Sequence, residues 1–237
     1  MKILSVDSSS EAASVAVLDG DKLLGEINFN YKKQHSVLLM DMIDKVITNV
    51  NLTIDDIDAF VVSKGPGSFT GLRIGMASIK AMALAKEKPF IGVSSLDGLS
   101  NNLFGTEGII CPIMDALRGN VYTSLYKFNS GSIEALSEHM IISIEELCDK
   151  LKEFKGPYIF VGDGTDKHKD KISSLLKDTY FTPGHLNFTR ASSLGTIGYK
   201  ILKEGKNDDL LGFAPVYLRQ SQAEREYEKK MGVSVYE

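Results

Sequence analysis

The chain has 237 residues, 43% of them hydrophobic, and a net charge of −4, which supports a real core in one large domain or two small ones. No run of Lys or Arg exceeds two residues, so there is no footprint for autonomous nucleic-acid binding. No stretch approaches 18 apolar residues, and the N-terminus opens as a strand rather than a secretory leader, so membrane spanning and secretion are not expected.

The first hundred residues read as strands over 2–7, 12–18 and 21–29, a helix over 35–50, a strand over 59–63, a helix over 70–86 and a strand over 90–93. Ala13, Val15 and Val17 alternate with Ala12, Ser14 and Ala16, and Asp19-Gly20 supplies a hairpin turn. Residues 109–203 repeat that order. Strands are expected over 109–114, over 121–128 and near 132–142. Ser143 is placed to cap a helix running to about Glu153, with Glu146 completing a capping box. A strand over 158–161 and helices near 167–177 and 190–203 follow. In both halves an apolar strand ends in a carboxylate, Asp7 or Asp115, before a short polar loop and a second strand. The repeat predicts two similar α/β halves, 1–105 and 106–219, and a charged tail over 220–237. That tail is a solvated terminus or a segment that orders on a partner. Cys111 and Cys148 lack the Cys-x-x-Cys spacing, which points to a reduced, intracellular protein, and the apolar run around Cys111 marks it as buried.

Residues 65–75, Gly-Pro-Gly-Ser-Phe-Thr-Gly-Leu-Arg-Ile-Gly, stand between an apolar strand and a helix. Backbone N–H groups there can face an anion. The same spacing suits a tight turn with Ser68 or Thr70 as helix N-cap. Neither a Walker A sequence nor a dinucleotide fingerprint is present. Asp7 and Asp115, at strand ends, suit a metal–phosphate complex or the capping of their own loops. His35 has no partner visible in sequence, and packing on Tyr31 or the neighbouring loop competes with any catalytic role. His139, His168 and His185 form no helical metal pair.

These blocks together resemble the bacterial TsaB (YeaZ) family, relatives of the TsaD/Kae1 proteins. The resemblance rests on Ile3-Leu-Ser-Val-Asp7-Ser-Ser-Ser10, on Gln34-His35-Ser36, on the 65–75 string, on Pro112-Ile-Met-Asp115-Ala-Leu-Arg118 and on Ala214-Pro-Val-Tyr217-Leu-Arg219. It implies a duplicated actin/hexokinase-like (ASKHA) fold with two βββαβα halves. Asp7, Ser8, Gly65, Gly67, Ser68 and Asp115 would then be its phosphate loops. In TsaD relatives a His-x-x-x-His pair binds metal; here Ser95 and Leu99 stand at those positions, and Leu cannot ligate. The resemblance therefore implies a noncatalytic, cytoplasmic scaffold or activator with no metal and no required cofactor, residual ATP or ADP binding being left open. It would act through TsaD and the ATPase TsaE in making N6-threonylcarbamoyladenosine at position 37 of tRNAs that read codons beginning with A. Little direct tRNA contact is expected. The competing reading is an enzyme of the same fold, an ATP-dependent phosphotransferase or a metallopeptidase.

The helix over 37–50 has a polar stripe of only Asp41, Asp44, Lys45 and Thr48, so its apolar arc exceeds what one sheet covers. The next helix carries Gly71-x-x-x-Gly75 and the row Ala77, Ala81, Ala85. Leu39, Met42, Ile43, Gly71, Gly75, Met76 and Ile79 are accordingly expected at an interface, with TsaD as a heterodimer or with a second copy when alone, the competing reading being burial under neighbouring loops of the same chain.

Overall fold

The structure, a computed structural model, describes residues 1–31, 34–219 and Met231; the charged tail otherwise lies outside the described residues. Strands β1 (Lys2–Asp7), β2 (Ala13–Asp19), β3 (Lys22–Phe29), β4 (Ala59–Gly65) and β5 (Phe90–Ser94) form one sheet in the order β3-β2-β1-β4-β5. The β1–β3 meander is antiparallel, and β1, β4 and β5 are parallel. The second sheet repeats this plan. Its strands β6 (Ile109–Asp115), β7 (Asn120–Thr123), β10 (Met140–Ser143), β11 (Tyr158–Val161) and β12 (Thr179–Phe181) lie in the order β10-β7-β6-β11-β12.

Sequence periodicity finds every long element. The stretch expected as one strand over 121–128 is broken into β7 and β8 (Tyr126–Asn129), both pairing with β6. The break falls where Ser137 takes over the bonding, its Oγ accepting the Leu125 N–H at 2.9 Å. The third strand of this half splits likewise, into β9 (Ser132–Ala135) on β8 and β10 on β7.

Helices α1 (His35–Asn49) and α2 (Phe69–Lys86) cover one face of the first sheet. The corresponding face of the second is covered by α4 (Ile144–Leu151) and α5 (Gly164–Leu175). The capping box opens α4 as expected, Ser143 Oγ accepting the Glu146 N–H while Glu146 accepts the Ser143 N–H. Cys111 and Cys148 are both free and buried. Burial pushes the Cys111 thiol up to about 12, which leaves it inert.

The remaining faces are covered by exchange. Helix α3 (Ser95–Asn101) follows the strands of the first sheet but packs Leu96 and Leu99 with Ile110, Met114 and Val161 of the second. Helix α6 (Ala191–Lys203) follows the second sheet but packs Leu194 and Leu202 on Ile3, Val61 and Val93 of the first. A division at 105/106 separates the two sheets, and these two helices cross it. The N-terminus of α6 is capped from the first sheet: Ser14 Oγ accepts the Ala191 N–H at 2.7 Å and Glu26 accepts the Ser192 N–H at 3.0 Å. This explains why β2 does not alternate between core and solvent. Residues 12–18 are all buried, the small Ala16 and Ser14 side lying under α6.

Five of the expected interface residues belong to this core. Leu39, Met42, Ile43, Met76 and Ile79 are at most 4% exposed and pack with Leu4, Val6, Phe60 and Val62. The wide apolar arc of α1 has two parts: that buried set, and an outward set in which Val37 is 72% and Met40 52% exposed. On α2 the outward set is Ala77, Ala81, Leu84 and Ala85.

The crossing of α6 over β4 needs a helix without a side chain. A Cβ on Gly198 would lie 2.5 Å from Val61 Cγ2 and 3.0 Å from Cγ1. Val61 is fully buried on a central strand and stiff at χ1. Gly198→Ala should therefore lower stability by about 1–2 kcal/mol in urea unfolding, overpacking outweighing the roughly 1 kcal/mol of helix propensity gained.

Candidate functional site: a cleft between two strand-end loop sets

The C-terminal ends of β1, β4, β6 and β11 face a cleft of about 1040 Å³, the position at which open α/β sheets place ligands. Its lining includes Ser9, Ser10 and Gly67 to Thr70 from the first half, and Asp115 to Leu117 and Asp163 from the second. The strap 216–219 supplies one more wall.

In the first half the two loops are interlocked. Ser68 is the N-cap of α2, its Oγ accepting the Gly71 N–H at 3.3 Å, which settles Ser68 over Thr70 as the cap. The Ser68 N–H donates to the Ser9 carbonyl at 2.7 Å, and Ser8 Oγ donates to the Gly71 carbonyl at 2.8 Å. A Cβ on Gly67 would stand 2.2 Å from Ser9 O, one on Gly71 2.0 Å from Ser8 O, and one on Gly75 2.3 Å from Ser8 Oγ. Gly71 and Gly75 are thus the seat of the chain's own Ser8–Ser9 loop, not of a partner's helix as expected from sequence. Gly67 is required by the same close approach. Gly65 is held at φ 102° against the Val216 carbonyl. The backbone donor of Ser68 is spent on protein, which leaves less of an anion cradle than the glycine spacing suggests.

The two strand-end carboxylates both cap their own loops. Asp7 Oδ1 accepts the Ser9 N–H at 3.4 Å, and Asp115 Oδ1 accepts the Leu117 N–H at 3.0 Å. Asp7 is fully buried beneath the interlocked loops and its Oδ2 has no partner. Burial pushes its carboxyl up to about 6, partly opposed by the polar Ser63 and Ser9 beside it and by the charge of His35. Asp115 is paired with Lys167 through both oxygens, at 2.9 and 3.1 Å. Asp163 Oδ1 accepts the Asp115 N–H at 2.9 Å. The protein atoms crowded around Asp163 push its carboxyl up to about 6 although one side is open to the cleft, and the charges of Asp115 and Glu11 add to that effect. His35 lines the cleft at the start of α1. Its Nε2 lies 2.8 Å from Ser10 O, so it packs on the loop rather than on Tyr31, and its Nδ1 is buried without a partner.

Asp163 and Lys167 were not found from sequence. The repeat carried a signal for Asp163: Gly162-Asp163-Gly164 ends β11 as Gly65-Pro66-Gly67 ends β4. Lys167 had none, since its pairing with Asp115 spans 52 residues. Ser95 and Leu99 lie in α3 away from the cleft lining, 0% and 1% exposed. Leu99 packs with Leu96, Leu103 and Ile110, and the Ser95 carbonyl accepts the Thr189 hydroxyl. Among the described residues no three His, Cys, Asp or Glu side chains are grouped to hold a metal, and no helix is long and apolar enough to cross a membrane.

The Asp7 shift fixes a pH dependence. The folded value, about 6, lies above the ordinary carboxylate value of about 3.9. The folded chain therefore binds this proton more tightly than the unfolded chain, and the contribution is full below pH 4 and lost as pH rises through 6. The two-unit difference corresponds to about 3 kcal/mol. Asp7→Asn should raise stability at pH 7–8 by about 1–3 kcal/mol and flatten the pH 4–6 part of the profile, read by urea unfolding across that range.

The family model for TsaD, tRNA N6-adenosine threonylcarbamoyltransferase, matches residues 22–227. The tRNA threonylcarbamoyladenosine biosynthesis protein TsaB of Bacillus subtilis (strain 168) is 35% identical over 229 residues, covering 96% of this chain and 98% of the relative. The protein of the same name from Escherichia coli (strain K12) is 29% identical over 232 residues, covering 94% and 96%. A Pseudomonas aeruginosa structure described as similar to the peptidase YEAZ superposes with a TM-score of 0.81 at 21% identity, over 92% of this chain and 99% of that one. The activator of a Clostridium difficile 2-hydroxyisocaproyl-CoA dehydratase superposes with a TM-score of 0.52 at 11% identity, over 88% and 100%, which places the duplicated architecture among the actin/hexokinase-like folds. By sequence identity along nearly its whole length, the chain belongs to the TsaB (YeaZ) family.

Proposed function

We propose that this protein takes part in tRNA threonylcarbamoyladenosine biosynthesis as a noncatalytic partner that acts through TsaD in the cytoplasm, with TsaE in the assembled complex. Participation in that biosynthesis rests on the names of its relatives. The noncatalytic reading is supported above all by Ser95 and Leu99, which are fully packed into the core at the positions where the resemblance to TsaD places metal-binding histidines. The closed Ser8–Ser9 seat points the same way, because a phosphate loop has to keep its amides free. The contribution of this chain is then to favour the competent conformation of TsaD by binding it better than the incompetent one. In reconstituted tRNA modification, TsaD and TsaE should need this chain. Full modification without it, or transfer by this chain alone, would overturn the reading.

The docking surface on this reading is the outward face of α1 and α2, which lie side by side on one face of the first sheet. It comprises Val37 and Met40 of α1 with Ala77, Ala81 and Leu84 of α2. The alanine row permits close approach of a partner helix, and Val37, Met40 and Leu84 supply the apolar area. Left uncovered, the same face pairs two copies. Met40→Asp or Ala81→Glu should cost several kcal/mol of association with TsaD, since a charge would be buried unpaired, while melting stays within a few degrees. Size-exclusion and melting measurements on each variant decide it. A soluble variant that keeps full TsaD binding would place the interface elsewhere.

A further inference from the structure

We propose that residues 208–219 form a latch across the cleft, and that the Arg219–Ala116 bond sets the cleft's width. Two segments singled out in the sequence, Pro112–Arg118 and Ala214–Arg219, have no role in the docking surface, yet they meet at this bond. The strap is fastened firmly to the first half. Asp208 Oδ2 accepts the Gly92 N–H at 2.8 Å, and the Asp208 N–H donates to the Phe90 carbonyl at 3.0 Å. Phe213 fills the space above Gly92, where a Cβ would stand 2.3 Å from its ring, and packs edge-on against Phe90. Lys80 Nζ donates to the Phe213 carbonyl at 2.7 Å, and the Val216 N–H to the Lys64 carbonyl at 2.7 Å. Tyr217 packs on Phe69, and its hydroxyl accepts from Arg73 Nε at 3.0 Å.

To the second half, among the described residues, the strap makes one hydrogen bond, from the Arg219 guanidinium to the Ala116 carbonyl. The acceptor belongs to an unusual turn. Leu117 and Arg118, neither a glycine, have φ 63° and 58°, and Gly119 follows at 81°. Two consecutive side-chain-bearing residues in the left-handed region are costly and persist only where the surroundings hold them. The holders are the Asp115 carboxylate on the Leu117 N–H, the Ala116–Asn120 backbone pair and Arg219. Arg219 thus ties a strap fixed on one half to a strained turn on the other, with the cleft between them. Without that bond the turn relaxes and the cleft widens at this end, while the exchanged helices α3 and α6 still hold the halves together. This inference is independent of the proposed function.

The test compares the full-length chain with Arg219→Ala and Arg219→Lys. Spin labels on Thr70→Cys and Asp166→Cys, both exposed and one on each half, read the distance across the cleft by pulsed dipolar spectroscopy. Amide hydrogen exchange reads the turn at Ala116 and Asn120. Arg219→Ala should lengthen and broaden the distance distribution and speed exchange at both amides at least tenfold. Arg219→Lys should fall between it and the parent. Melting reports whether the variant is folded, and the half-buried anchors at Phe213 and Asp208 should keep it so. An unchanged distance distribution in folded Arg219→Ala overturns the proposal, and so does unchanged exchange at the turn.

Discussion

Everything around the cleft depends on one close approach, the seating of the Ser8–Ser9 loop on the first turns of α2. Ser8 O occupies the space that a Cβ on Gly71 would need, at 2.0 Å. That contact fixes where β1 ends relative to β4 and α2, buries Asp7 beneath it and consumes the Ser68 amide. It also fixes the entry of α1, since His35 bonds to the carbonyl of Ser10 in the same loop. A glycine stripe that reads in sequence as a place for two helices to touch is in fact filled by a loop of the same chain.

The second half solves the equivalent problem with charge. Where the first half has an interlocked pair of loops, the second has Asp115 held by Lys167 and bonded through its amide to Asp163. One side of the cleft is sealed by backbone packing and the other by an ion pair open to water. The duplicated architecture is therefore symmetric in topology and asymmetric in chemistry. The exchange of α3 and α6 joins the two, with Gly98 pressed against Leu194 and Asn102 bonded to Ser193. Neither sheet is covered on both faces without the other half's helix.

Most of the elements were legible in the sequence because they are long and periodic, and because the second half repeats the first. The capping box at Ser143 was legible because its bonds are local, and the cap of α2 was narrowed to Ser68 or Thr70 on the same ground. What escaped was short or non-local. Helix α3 has seven residues and β12 has three, too few for periodicity to register. The pairing of Asp115 with Lys167, and of Arg219 with Ala116, crosses 52 and 103 residues. The apolar arc of α1 is wider than the share that meets the sheet, and an arc does not say which part that is. Leu39, Met42 and Ile43 took the inward share and Val37 and Met40 the outward one.

The Ser8–Ser9 loop seated on α2 takes the Ser68 amide away from any anion, and on the proposed reading the cleft does not grip a nucleotide. Calorimetric titration of Mg-ATP into the isolated chain tests it most directly. The account predicts no saturable heat up to about 1 mM nucleotide, an affinity weaker than about −4 kcal/mol. One-to-one binding in the micromolar range, abolished by Asp115→Asn and by Gly67→Val in folded protein, would contradict it.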